Sequence, residues 1–88
     1  MPKLKREPTP LERHEANVVA SASTFVACNF RGRARYEKSE HSSLGAAVAA
    51  ARAMIDRRPA DDIANRGRPV LVYAVHGVHS VVAQVVRP

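Results

Sequence analysis

Between Leu44 and Ile55 the apolar residues recur at helical spacing. Leu44, Val48, Ala51 and Ile55 fall on one stripe at i, i+4, i+7 and i+11, with Ala47 and Met54 beside them. Ser42 or Ser43 offers a side-chain oxygen to cap this helix. Pro59 stops it near Arg58, because the residue before a proline is pushed out of helical backbone. Nearer the N-terminus, Thr9, Pro10 and Glu12 make a second helix-start signature: a hydroxyl cap, a proline at the first helical position and a glutamate that closes the capping box. That segment carries Leu11, Glu15, Val18 and Ala22 along a weakly amphipathic stripe. The β-branched pair Val18 and Val19 leaves a strand open as the alternative for residues 10–22.

Two other stretches follow the two-residue period. Thr24 to Phe30 and Ala34 to Ser39 flank Arg31-Gly32-Arg33 and read as a hairpin with glycine in a three-residue loop. This register sets Phe30 against Ala34, Cys28 against Tyr36 and Val26 against Lys38. It gathers Val26, Cys28, Phe30 and Tyr36 on one side, read as core, and leaves Phe25, Ala27, Asn29, Arg35 and Glu37 as a mostly polar outer side. Pro69 to Val75 and Val78 to Val86 form a second hairpin around His76-Gly77. Val70, Val72, Val81 and Ala83 lie on one of its faces, and Leu71, Tyr73, Val75 and Val82 on the other. A hairpin apolar on both faces has to be covered twice. Residues 59–68 break the periodicity and read as a loop.

The elements add up to an α+β domain, (α)ββαββ, with one antiparallel four-stranded sheet. One helix packs on one face; the short N-terminal helix or a dimer partner takes the other. Residues 1–9, basic and spaced by prolines, read as a disordered lead, and residues 10–88 as a single small domain. No apolar h-region follows the basic start, and no apolar run is long enough for a bilayer.

Composition sharpens this picture. Fifteen of the 88 residues are alanine and twelve are valine, so the core is thin and a second copy is one way to add buried area. A chain this short leaves no room for a doubly wound nucleotide-binding unit or a barrel. One cysteine, Cys28, cannot form an internal disulfide and reads as a core residue, which fits a reducing, cytoplasmic setting.

The formal charge of +6 is uneven. Segment 29–38 nets +3 and segment 57–68 nets +2, and arginine outnumbers lysine eleven to three. The planar fork of arginine suits phosphate or guanine. Arg31, Arg33, Arg35 and Lys38, with Arg57, Arg58, Arg66 and Arg68, are therefore candidate contacts to DNA or RNA. Against this, alanine and arginine rise together in GC-rich coding sequences, and charged loops are commonly only solvated surface. The competing candidate is a protein-interaction or homodimer surface on the second hairpin, at Val70, Val72, Val81 and Ala83.

Catalytic chemistry finds little to build on. Gly32 to Ser39 matches the spacing of a phosphate-binding P-loop, except that Glu37 replaces the second glycine and puts a carboxylate where backbone amides should meet phosphate. His76 and His79 flank a turn and His41 is a distant third, short of the ligand set that zinc needs. Ser80 follows His79 on a strand, so their side chains point to opposite faces. Ser42 and Ser43, beside His41, are already helix caps, and Asp61 and Asp62 are loop neighbours. The reading is a non-enzymatic module with no catalytic residue, no metal, no cofactor, no small-molecule substrate and no membrane span.

Overall fold

The computed structural model describes residues 7–30 and 36–88. Two helices and one four-stranded antiparallel sheet make an α+β domain, in the order α1 (Pro10–Ser21), β1 (Thr24–Phe30), β2 (Tyr36–His41), α2 (Leu44–Asp56), β3 (Val70–His76) and β4 (His79–Val86). Both helix starts are capped as their sequences dictate. The Glu12 amide donates to Thr9 Oγ1 at 3.1 Å, and the Ala46 amide donates to Ser43 Oγ at 3.2 Å. Ser43, not Ser42, is the cap of α2, and Val18 and Val19 remain helical.

The strand order is β2-β1-β3-β4. In the first hairpin Phe30 pairs with Tyr36, Cys28 with Lys38 and Val26 with Glu40, a register displaced by two residues from the expected one. A shift of two leaves every side chain on the same face, so the sorting by parity survives; the expected turn Arg31-Gly32-Arg33 and the strand start at Ala34 lie outside the described residues. The second hairpin turns at Gly77-Val78, not His76-Gly77, with His76 paired to His79. Gly77 takes φ +61° at the first central position, where a II′ turn needs a glycine. A register break between Val72 and Tyr73 leaves Ala83 as the extra residue of a β-bulge.

Parity sorted the residues, but the face expected to be core is the open one. Phe25, Ala27 and Asn29 point into the interior with Val70, Val72 and Ala74, beneath Ala47, Ala51 and Met54 of α2. Val19 of α1 and its C-cap residue Ala22 pack on the same cluster, and α1 meets β3 and β4 while α2 meets all four strands. Both helices therefore cover one face, and α1 does not cover the other. The reason lies in size. An alanine-rich helix approaches a sheet closely only where the sheet also presents small residues, and Ala27 and Ala74 are on this face, whereas Phe30, Leu71 and Tyr73 are on the opposite one.

Candidate interaction surface

The face left uncovered is built from two cross-strand rows. One runs Lys38, Cys28, Leu71, Val85 across β2, β1, β3 and β4; the next runs Glu40, Val26, Tyr73, Val82. Between them lies the row Ser39, Ala27, Val72, Gln84, in which Ala27 and Val72 are fully buried under the helices. The face holds an open groove of about 270 Å³ lined by Val26, Cys28, Phe30, Tyr73, Val75 and Ser80. Phe30, Val82 and Val85 keep 42%, 48% and 40% of their surface in solvent. An antiparallel sheet with one wet face normally alternates apolar and polar along each strand, and β3 does not. Cys28 lies at the floor of this groove, a free thiol, and burial pushes its pKa up while nearby Lys38 pulls it down.

The surface expected at Val70, Val72, Val81 and Ala83 is on the wrong side of the sheet. Val70 and Val72 are fully buried under the helices, and Val81 and Ala83 pack against the same core. Phe25, expected on the outer side, is core as well. The apolar set that does meet solvent was legible as the second face of the same hairpin; what the sequence lacked was the side on which α1 lands.

The basic candidates divide. Arg31, Arg33 and Arg35 lie outside the described residues. Lys38 stands exposed at the edge of the open face. Arg57 is exposed and its Nη2 donates to Glu37 Oε1 at 2.8 Å. Arg58 turns inward instead. It donates to the Asn65 and Arg68 carbonyls at 2.9 and 2.6 Å and to Asn29 Oδ1 at 2.8 Å, tying the 57–69 segment to β1. Asn65 in turn donates to both oxygens of Asp62, at 3.1 and 2.9 Å, so this acid serves the loop. Arg66 and Arg68 have exposed side chains, with Arg66 Nη2 reaching the Ala60 carbonyl at 3.4 Å. Because Asn29 precedes the last residue of β1, the contact to Arg58 brings segment 57–69 to the sheet end from which β1 and β2 run into residues 31–35.

The histidines are spread over separate contacts. The His79 ring stands edge-on to His14 of α1, with centroids 4.8 Å apart, and His41 Nε2 lies 2.7 Å from Ser39 Oγ. Ser39, two residues from His41 on one face of β2, is the partner that sequence adjacency concealed. Neither Ser42 nor Ser43 takes that place. Among the described residues no three His, Cys, Asp or Glu side chains group as metal ligands, and no helix is long and apolar enough to cross a membrane. Comparison of the chain with protein-family models, with curated proteins and with solved structures returns no match.

Proposed function

We propose that this protein is a small non-enzymatic interaction module whose working surface is the uncovered face of its sheet. The observation that carries the reading is the pair of apolar rows through Cys28–Leu71–Val85 and Val26–Tyr73–Val82 on the side that neither helix covers, with Val82 and Val85 exposed, Val26, Leu71 and Tyr73 half-buried and Cys28 buried at the floor. Apolar surface gathered on one flat side is a mark of protein docking. Photo-crosslinking tests it. A benzophenone amino acid replacing Val82 is expected to give a crosslinked adduct in cells that express the chain. The same group replacing Leu11, exposed on α1 and away from that face, is expected to give none. Equal yields at the two positions, or none at Val82, would remove the reading.

A second reading, contact with DNA or RNA, draws support from one geometric fact: segment 57–69 sits at the sheet end that leads into Arg31, Arg33 and Arg35. Arg57, Arg66 and Arg68 then lie toward the sheet end where β1 leaves off, with Arg58 held back for the fold. Binding through this end predicts affinity that falls steeply with salt. Arg66→Ala with Arg68→Ala should reduce the log–log slope by about 2, one unit for each phosphate that is no longer neutralised. Salt-independent binding, or a slope unchanged in the double variant, counts against it.

A further inference from the structure

We infer that the open face is occupied by a second copy of this chain, stacked on it about a two-fold axis that crosses the strands at the row Ser39, Ala27, Val72, Gln84. The inference rests on the reading of that face as an interaction surface and names its partner.

Charge selects the copy. Lys38 and Glu40 are the two charged residues that the described register places on this face, and they end adjacent rows on the same edge strand, β2. A two-fold axis midway between the rows lays each row over the other row of the partner. Lys38 then meets the partner's Glu40, Cys28 meets Val26, Leu71 meets Tyr73 and Val85 meets Val82, and each contact occurs twice, as an isologous interface requires. Aligned sheets pack about 10 Å apart and turned by about 30°, distances that the long Lys and Glu side chains span. Rotation about the strand direction instead puts β2 over β4. Each charge then falls on valine without a partner, which is costly.

Net charge agrees with this arrangement. Among the described residues the face carries one cation and one anion, so these do not oppose the stack. For the same reason they offer a polyanion or an anionic lipid surface no basic patch. Size suits a weak pair. Four strands about 4.8 Å apart and about seven residues long give a flat footprint of about 450 Å² per copy, before side-chain relief is added. Both copies together then bury about 900 Å², the range of weak, transient association below the ~1,200 Å² of standard interfaces.

Sedimentation equilibrium of the purified chain, with three charge variants, is the test. The wild type is expected to be a dimer that dissociates on dilution. Lys38→Glu and Glu40→Lys each set like charges together twice, and each should raise the dissociation constant about tenfold. The double variant Lys38→Glu/Glu40→Lys restores both pairs and should return to the wild-type value. A general effect of net charge cannot produce that return. Single variants that associate like the wild type, or a double variant that is not restored, overturn the proposed axis. A wild-type chain monomeric at every concentration, with an adduct at position 82 heavier than one chain but not equal to two, overturns the second copy and leaves the interaction reading standing. No adduct at position 82 ends both.

Discussion

Arg58→Ala is expected to lower folding stability by about 2–3 kcal/mol, which for a domain of this size is a fall of roughly 10–20 °C in melting temperature. The guanidinium holds three acceptors at once: two carbonyls of its own loop and the Asn29 side chain, which is only 1% exposed on the helix-facing side of β1 near its end. Alanine removes the donors and leaves Asn29 Oδ1 buried with no replacement, and an orphaned buried acceptor costs more than the net value of the bond that satisfied it. Lysine is no substitute, since a single ammonium on a flexible stem cannot reproduce a planar fork that reaches both sides of the loop. Arg57→Ala is the control. Its ion pair with Glu37 is solvent-exposed, and such pairs contribute little, so a change below about 0.5 kcal/mol is expected. Thermal melts in which the two alanine variants behave alike would show that Arg58 is surface charge after all.

That contrast also explains what could be read from the chain and what could not. Arg57 and Arg58 are neighbours of the same type in the same basic segment, and charge counting treats them alike. Their difference is set by Asn29, twenty-nine residues before Arg58 and brought to it only by the packing of α2 on β1. Local signals fared better. The caps at Thr9 and Ser43 need only residues three positions away, and the stop after α2 needs only Pro59. Strand parity was legible too, because a register error of two residues does not move a side chain across the sheet.

The choice of face was not legible, and its cause is tertiary. Val26, Cys28 and Phe30 are bulkier as a group than Phe25, Ala27 and Asn29, so bulk alone nominates them as core. Close packing decides otherwise. Ala47 and Ala51 bring the axis of α2 down onto the sheet, and Ala27 and Ala74 admit it, whereas an aromatic row would hold it away. The buried stripe of α2 accordingly centres on Ala47, Ala51 and Met54, while Leu44, Val48 and Ile55 form half-buried shoulders. The larger side chains are left on the outside of a single two-layer stack. In a chain with so thin a core, this leaves Phe30, Leu71 and Tyr73 outside the two-layer core, which keeps Phe25 and Met54.

Val82→Asp is expected to abolish association while sparing the folded monomer. Val82 is 48% exposed and faces away from both helices, so a carboxylate there remains hydrated in a single chain and disturbs no core contact. In the stacked pair the same carboxylate lies against apolar partner residues, twice per dimer. Burying two unpaired charges raises the dissociation constant by more than about a hundredfold. The signature is thermodynamic. Because the partner binds the folded chain and not the unfolded one, the wild-type melting temperature rises with protein concentration, and the variant's does not. At high dilution, where the wild type is itself monomeric, the two melting curves should coincide. A variant that melts lower than the wild type at that dilution would mean Val82 supports the monomer's own fold. A variant whose melting temperature still climbs with concentration would mean that chains associate through some surface other than this face, and would overturn the stacked pair.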